Sequence, residues 1–532
     1  MLLSGNQKND ASTSFSEKSS MATIKLASVR PVTKLIPQQI PDTEFSRLIA
    51  AGLDFGVRNP QILDAIDRDR DRVALAKKRE RLKDQEWLAS RGTRLPGFDV
   101  CDSPNWMAGL ELGLGRERMP AIMVLLFILM RGYHGGFKDR KTLSNLLESR
   151  TLDIVLASFD LSMPGASTIL DNVNAVSVAT LELVVDAQIM TALSEGLDDF
   201  KKLTFDSTSV TGNTAFPTDS GTIKGLALRA EHLLRSLATH GITIKLPAVM
   251  SLILTSIGDH HRQIQLTSGK KDSAKIRGKL YRKLMKAARK VRKDLLNAQT
   301  RAENKFAALD IIPSQKNMVM KIIQWIKRDL DDLGLAIINA DKRINQNKKV
   351  PIEEKIVSIS DASAAMIVKG QGDPKVGYKP QIGRSENGFV IAIIVPEGNA
   401  ADSGQLRPIV DAARKRSGVL PTVLSFDDGY TNAKDREHYL GLEVEIVSFS
   451  GSKGKKLIPV EEYESDAYKQ ARNDRSAVES IMFTLKHNHD LDRVMRRGIE
   501  NVRSELLEKV IAYNFFRLIR VRNLMAADKL AA

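Results

Sequence analysis

The 532-residue sequence contains a single cysteine, Cys101. One thiol excludes an internal disulfide bond and any zinc site built from cysteines, and it suits a reducing cytoplasm. The chain has eight histidines, but none stands in a metal-ligand motif, and the adjacent pair His260-His261 has no acidic or cysteine partner beside it. Any metal site is therefore expected to use oxygen ligands, and Cys101 is expected to lie in the protein core.

Long hydrophobic runs are also missing. The longest, AIMVLLFILM at 121–130, is about half as long as a membrane span, and it predicts a buried core helix. The first 20 residues are rich in Ser, Lys and Asn and lack the apolar segment of a secretory signal, and Met21 is an alternative start. We therefore expect a cytoplasmic protein without membrane contacts.

Acidic residues are fewer than basic ones, 64 against 80, which gives a net charge of +16. Much of the excess lies between Lys270 and Lys293, where twelve Lys or Arg accompany one Asp. Apolar residues recur there at helical spacing: Ile276, Leu280, Leu284, Ala287, Val291 and Leu295. The pattern predicts a long amphipathic helix whose basic face meets DNA, acidic lipid or an acidic partner, or only water.

Near the C-terminus, Arg475, Glu479 and Lys486 are spaced by four and seven residues. Offsets of four and seven return to nearly the same side of a helix, so a carboxylate stands between two cations on one stripe. This arrangement suits metal-assisted chemistry on a phosphodiester. It also fits an ordinary surface stripe of helical salt bridges.

Two more acids follow short apolar runs that are typical of buried strands. Asp206 ends the first run in LTFDST and Asp427 ends the second in TVLSFDDGYTN. Each strand is predicted to present its acid at its C-terminal edge. Asp428 is adjacent to Asp427, but neighbours in a strand point to opposite faces, so only one of the two should reach a shared site.

Other polar residues receive structural roles. Asp219 and Asp361 are each followed by small residues, which favours helix capping or turns. Asn399 and Asp402 are predicted to close a loop and cap the next helix. A turn at Met163-Pro164-Gly165, with Ser167 capping the following helix, suggests a helix–turn–helix that either reads DNA or belongs to an ordinary helical domain.

Together these motifs resemble an insertion-sequence DDE transposase of the group with a Tyr–Arg–Glu–Lys signature. The resemblance covers roughly residues 100–525, and its matching segments are FDST with AFPTDSG, GYKPQI, PEGNAADS, FDDGY and RSAVESIMFTLK. One departure concerns the signature tyrosine. Arg472 stands at its expected position, and the nearest tyrosine is Tyr468.

The resemblance implies an α/β ribonuclease-H-like catalytic core with a large all-helical insertion and a mainly helical N-terminal region. The expected parts are a polar arm (1–45), a helical DNA-binding region (46–200), the catalytic core (201–221 and 351–490), a basic helical insertion (222–350) and a C-terminal helical tail (491–532). Periodicity alone supports only an α/β class.

The resemblance also implies a catalytic and metal-binding triad of Asp206, Asp427 and Glu479. Arg475 and Lys486 would grip phosphates or orient Glu479, and Tyr430 would either hydrogen-bond near the site or simply pack. Carboxylate oxygens favour hard cations, so two Mg²⁺ (or Mn²⁺) ions are expected. The basic-face residues expected to bind DNA are Lys279, Arg282, Lys283, Lys286, Arg289, Lys290 and Lys293.

Three functions remain open from the sequence. The first is a transposase that cleaves the ends of its element and joins them to target DNA as a dimer or larger synaptic complex, in the nucleoid-associated cytoplasm. The second is a catalytically silent DNA-binding regulator derived from such an enzyme. The third is a nuclease of the same fold that only hydrolyses DNA.

Overall fold

The computed structural model describes residues 43–92, 118–136, 149–157, 162–267, 272–369 and 373–531. Cys101, Met21, Lys270 and the first 42 residues lie outside these ranges. The described residues divide into two compact units. The first comprises residues 43–74, the described part of 118–213, and 377–531, and it is called the sheet unit below. The second comprises 75–92 and the described part of 214–376, and it is called the helical unit.

The strands are short and lie mostly in the sheet unit. In chain order they are β1 (Lys202–Ser207), β2 (Val210–Thr211), β3 (Ala365–Ile367), β4 (Lys375–Tyr378), β5 (Gln381–Ser385), β6 (Val390–Ile394), β7 (Val423–Phe426) and β8 (Ile446–Phe449). Five of them form one sheet in the order β6-β5-β1-β7-β8. β1 pairs antiparallel with β5 and parallel with β7, and β7 pairs parallel with β8.

Helices make up most of the rest. They are α1 (Glu44–Arg58), α2 (Pro60–Ala89), α3 (Ala121–Tyr133), α4 (Arg150–Ala157), α5 (Ala166–Ala175), α6 (Val178–Ser194), α7 (Asp219–Ser236), α8 (Met250–Leu266), α9 (Ser273–Ala307), α10 (Pro313–Ile344), α11 (Leu406–Ser417), α12 (Ala433–Leu440), α13 (Ser452–Leu457), α14 (Val460–Tyr463), α15 (Asp466–Asp474), α16 (Ser476–Asn488) and α17 (Ile499–Ala531). The mixed α/β class predicted from the sequence is confirmed.

The apolar run at 121–130 forms α3, and all ten of its residues are buried. The predicted core helix is therefore confirmed. α3 packs against α17, and Gly132 allows the close approach, because a Cβ there would lie 2.0 Å from the carbonyl oxygen of Glu508. Within the described ranges, no single helix is long and apolar enough to cross a membrane, while α5 and α6 meet that test only as a pair bent by 81°.

The prediction that Ser167 caps a helix is wrong. α5 begins at Ala166 with Gly165 at its N-cap, and no side chain accepts a capping hydrogen bond there. Ser167 is already the second residue of α5, so it lies inside the helix and not at the N-cap position before it.

The helical unit contains α7, α8, α9 and α10, whose apolar faces form one core. On α9 the predicted buried face is right at Leu284, Val291 and Leu295, which are fully buried. It is wrong at Ile276, which is 41% exposed. Ile276 lies in the first turn of the 35-residue helix, before the stretch that packs against this core.

His489 directly follows α16 and is buried in the sheet unit. Burial lowers the pKa of its imidazole to about 4, whereas an unfolded chain binds the same proton near pH 6.5. Acidification from pH 6.5 to 5 therefore favours the unfolded chain, by about 2 kcal/mol for this one group. We expect His489→Leu to flatten the loss of stability over that interval.

The measurement is urea denaturation at pH 5, 6 and 7, beside His487→Leu as a control. His487 is an exposed histidine two residues earlier. Equal pH profiles for the two variants and the wild type would remove His489 as the source of acid sensitivity.

Candidate active site

Asp206 and Asp427 lie at the ends of two neighbouring parallel strands. The register pairs Phe205 of β1 with Phe426 of β7, so each acid follows an equivalent position. The two phenylalanine rings stack with centroids 5.0 Å apart and planes 12° apart. Because the strands are parallel and in register, their acids emerge side by side above this buried aromatic pair.

The two acids differ in their surroundings. Asp206 is largely buried, and one of its carboxylate oxygens accepts a 2.6 Å hydrogen bond from the Ser207 backbone N–H. Asp427 is more accessible, with 43% of its side chain exposed. Its Oδ1 lies 3.4 Å from the Ser450 hydroxyl, which follows β8. Asp206, which is held by its hydrogen bond, and the more accessible Asp427 thus lie at the same end of the sheet.

Asp428 does not join Asp206 and Asp427, as predicted, but the cause is not the alternation of side chains along a strand. β7 ends at Phe426, and residues 428–430 form a short 3₁₀ turn, so strand alternation does not apply. Instead, Asp428 Oδ1 accepts hydrogen bonds from the backbone N–H groups of Lys453 (2.8 Å) and Gly454 (3.0 Å) in α13. Asp428 therefore fixes the segment that follows β8.

Glu479 lies in the first turn of α16. The opposite face of this helix buries Val478, Ile481 and Leu485, and α16 packs against β1. Glu479 itself has 61% of its side chain exposed. Apolar packing of one face thus sets the helix beside β1 and leaves the carboxylate at the surface, where the helix dipole favours a negative charge.

Arg475 brings the three acids into one arrangement. Its Nη2 donates a 2.9 Å hydrogen bond to Glu479 Oε1. Its Nη1 lies 4.0 Å from Asp206 Oδ2 and 3.8 Å from Asp427 Oδ1. One guanidinium therefore faces all three predicted catalytic carboxylates. Lys486 is half-buried in the last turn of the same helix.

A second polar group is built around Tyr430, for which a hydrogen bond near the site was one of two predicted roles, and its partners Gln381 and Lys379 were not recognised from the sequence. Tyr430 is fully buried, and its hydroxyl donates to Gln381 Oε1. Gln381 Nε2 donates to Asp402 Oδ1 (3.1 Å), which also pairs with Lys379 Nζ (2.9 Å). Burial, and then the charges of Asp402, Asp206 and Asp427, raise the pKa of Tyr430, so its hydroxyl stays protonated and can donate.

This network corrects the role predicted for Asp402. The residue does not cap α11, whose N-cap is Gln405 without a side-chain hydrogen bond. The signal was present in the GYKPQI and PEGNAADS segments, which supply Lys379, Gln381 and Asp402. Their convergence depends on the antiparallel pairing of β1 with β5, which the sequence does not reveal.

Tyr468, the tyrosine nearest the signature position, lies in the core. Its hydroxyl accepts a 2.8 Å hydrogen bond from the Phe449 backbone N–H at the end of β8, and burial raises the pKa of the phenol to about 12. The Arg472 guanidinium lies 4.0 Å from the ring centroid of Tyr463. Both residues thus brace α15, which leads directly into Arg475.

The donors at this site suit a hard divalent cation. Asp206, Asp427 and Glu479 offer carboxylate oxygens, the ligands that Mg²⁺ and Mn²⁺ prefer. As they stand, however, no three Asp, Glu, His or Cys side chains in the described ranges lie close enough to share one metal ion. Here the acids surround the Arg475 guanidinium. The carboxylate oxygens are suitable ligands for a hard divalent cation, whereas the distances between the three acids here are those set by the guanidinium among them.

The remaining predicted residues lie in the helical unit. All seven basic residues proposed to bind DNA are exposed on α9: Lys279, Arg282, Lys283, Lys286, Arg289, Lys290 and Lys293. Asp219 pairs with Arg343 at 2.8 Å, while Thr218 caps α7 in its place. Asp361 Oδ1 accepts from the Ser363 N–H at 3.2 Å, which is the predicted turn role.

Comparison with known proteins identifies one part of the chain. Residues 348–515 match the family model described as a transposase DDE domain. The match includes Asp427, Arg475, Glu479 and Lys486 and begins after Asp206. No curated protein and no solved structure matches the chain. Residues 348–515 thus resemble a transposase DDE domain, which is the family that the sequence motifs also resemble.

Proposed function

We propose that this protein is an active transposase that cleaves the ends of its insertion element and joins them to target DNA. The observation that carries the proposal is the convergence of Asp206, Asp427 and Glu479 on the Arg475 guanidinium. Three acids from two strand ends and one helix form a site that is open on the side of Glu479. A DNA backbone can approach such a site, whereas a salt-bridge stripe confined to one helix would not include the two strand acids.

The sheet supports a ribonuclease-H-like core. Numbered within the five-stranded sheet alone, the strand order β6-β5-β1-β7-β8 becomes 3-2-1-4-5, with the second strand antiparallel to its neighbours. We propose that α7 to α10 form a helical insertion between the first and second strands of that core. The Tyr–Arg–Glu–Lys group remains a prediction, since Arg472 replaces its tyrosine.

Asp206, Asp427 and Glu479 would hold two Mg²⁺ ions, and Mn²⁺ could replace them. Bound there, the ions supply the Lewis acidity and charge neutralisation that phosphodiester displacement requires. The protein's own residues position the scissile phosphate. Arg475 at the N-cap of α16 and Lys486 in its last turn offer cationic donors, and the Ser207 N–H fixes Asp206. The buried Tyr430 hydroxyl holds Gln381 beneath the acids.

The first test is a cleavage assay on a labelled duplex that carries the terminal repeats flanking the gene. We expect nicking at the repeat boundary in Mg²⁺, none in EDTA, and none with Glu479→Gln, while that variant still binds the duplex. Strand joining to a second duplex separates a transposase from a nuclease that only hydrolyses. Binding without cleavage in both Mg²⁺ and Mn²⁺ would overturn the enzyme proposal in favour of a silent regulator.

DNA binding should depend on the exposed face of α9. Each phosphate contact contributes about −0.9 to the slope of log affinity against log salt. We therefore expect the triple variant Lys283→Gln, Lys286→Gln, Lys290→Gln to reduce the magnitude of that slope by about 3. Fluorescence anisotropy of a labelled duplex over a salt series gives both slopes.

A matched control removes three charges from the neighbouring helix α10: Lys316→Gln, Lys321→Gln, Lys327→Gln. These lysines are also exposed, so the control separates a specific face from net charge. Equal losses in the two triple variants would mean that α9 contributes only to the overall charge. Binding of two duplex ends in one complex, measured by mass photometry, tests the proposed dimer or larger synaptic assembly.

A further inference from the structure

The Arg475 guanidinium occupies the place where the charges of the three acids meet. Three carboxylates facing one small space repel one another, and a single cation among them removes part of that repulsion. Asp206 can least rely on water, since only 12% of its side chain is exposed. In this arrangement, Arg475 supplies the positive charge that a divalent ion would otherwise supply.

The guanidinium is held by these acids and by little else. Among the described residues, its ion pairs and its side-chain hydrogen bond all go to Asp206, Asp427 and Glu479. By contrast, the nearby Arg472 guanidinium stacks over the Tyr463 ring. About a fifth of the Arg475 side chain is exposed, so it can turn outward without disturbing the core. A stronger cation at the acids would therefore remove the contacts that hold it in place.

The backbone of Arg475 favours such a movement of the side chain alone. The residue links α15 to α16 with helical dihedral angles (φ −56°, ψ −34°). α15 is anchored by the Tyr468 hydroxyl on β8, and α16 by its buried face on β1. Both flanking helices thus stay fixed while the flexible side chain changes partner.

We propose that Arg475 is an internal counter-cation of the metal-free site, and that it and a divalent metal ion compete for the same three carboxylates. This inference rests on the proposed function of the triad. Metal loading expels the guanidinium, which then becomes available to a DNA phosphate. Since coupling between two ligands is reciprocal, DNA that engages Arg475 should in turn raise the affinity for the metal.

This role differs from simple support of the acids. If Arg475 only oriented Glu479, its removal would loosen the site and weaken metal binding. If it competes with the metal, its removal vacates the site and strengthens metal binding. The two roles therefore predict opposite signs for one measurable quantity.

The experiment measures Mn²⁺ binding to the full chain without DNA, by electron paramagnetic resonance of free Mn²⁺. We expect Arg475→Gln to lower the dissociation constant about tenfold, equivalent to about 1.4 kcal/mol. Arg475→Lys keeps a cation and should stay closer to the wild type. Lys469→Gln removes one positive charge from α15, where Lys469 pairs with Glu464, and should change little.

Addition of a duplex provides a second readout. In the wild type, DNA should tighten Mn²⁺ binding, and in Arg475→Gln this coupling should shrink. Unchanged or weaker Mn²⁺ binding in Arg475→Gln, with an unchanged thermal midpoint, overturns the competition. A tightening matched by Lys469→Gln overturns it too, because net charge would then be sufficient.

Glu479→Gln separates this inference from the proposed function. If Glu479→Gln abolishes Mn²⁺ binding while Arg475→Gln fails to tighten it, the triad stands and only the competition falls. If wild-type Mn²⁺ binding is insensitive to Glu479→Gln, the proposed metal site itself falls. The two failures therefore give different patterns in one set of titrations.

Discussion

Asp427→Asn should reduce strand cleavage by about three orders of magnitude, the loss that corresponds to about 4 kcal/mol of transition-state stabilisation. The substitution keeps the shape of the side chain and removes its charge. An amide is a much poorer ligand for a hard cation and leaves the Arg475 guanidinium with one partner fewer. DNA binding should persist, because the basic face of α9 is untouched. The measurement is single-turnover cleavage of a labelled repeat-end duplex in Mg²⁺.

The adjacent residue offers a closely matched control. Asp428→Asn makes the same chemical change one position along the chain, and asparagine retains the Oδ1 atom that accepts from Lys453 and Gly454. We expect this variant to cleave within a few-fold of the wild type. Loss of cleavage in Asp428→Asn with near-normal activity in Asp427→Asn would reverse the assignment of the two acids. Equal loss in both would indicate that the local turn, rather than one carboxylate, is required.

The strand acids were predictable because their signals are local. An apolar run of strand length that is followed by Asp predicts both the strand and the position of the acid at its end. The helical position of Glu479 follows in the same way, from its spacing of four residues to Arg475 and seven to Lys486. The sequence pattern that predicts each of these strands and this helix lies within a few neighbouring positions.

The hydrogen-bond network of Tyr430 and Gln381 was not predictable, because it depends on pairing between distant segments. Gln381 reaches Tyr430, which is 49 residues away in sequence, only after β5 and β7 have paired with opposite sides of β1. The Arg475 position is an intermediate case. Its spacing to Glu479 predicted their contact, but its approach to Asp206 and Asp427 required α16 to pack against β1.

The same distinction explains the local errors. Ser167 has the chemistry of a helix cap, yet α5 begins one residue before it, with Gly165 at the N-cap. Ile276 has the correct spacing for the buried face of α9, but that end of the helix lies beyond the core. Periodicity identifies a face, while burial also requires a neighbouring element to cover it.

The chain beyond α16 is held by a buried charge network that connects α17 to α3 within the sheet unit. Glu508 of α17 is almost fully buried and lies between two arginines. Arg131 Nη2 donates to its Oε1 at 2.6 Å, and Arg496 Nη2 donates to its Oε2 at 2.8 Å. Arg131 is buried as well, and burial lowers the pKa of its guanidinium. The paired carboxylate is therefore what makes the buried charge of Arg131 tolerable.

Glu508→Gln should destabilise the sheet unit by about 3–5 kcal/mol, because removing one partner of a buried pair leaves an uncompensated charge in the interior. Arg131 would retain its 2.7 Å hydrogen bond to Asn174 but would have lost its carboxylate counter-charge. The expected effect is large relative to the total stability of a typical domain. The free energy should be read from hydrogen exchange of α17 peptides, since the two tryptophans within the described ranges, Trp87 and Trp325, both lie in the helical unit.

Glu500→Gln on the same helix is the control. Glu500 pairs with Arg503 at 2.6 Å, but 65% of its side chain is exposed, and exposed pairs contribute about 0–1 kcal/mol. A small effect of Glu508→Gln, equal to that of Glu500→Gln, would mean that the buried arginines find other partners or water. A large effect confined to Glu508→Gln would establish that this ion network fixes the segment after α16. The chain that follows α16, the helix bearing Glu479, would then depend on this buried network.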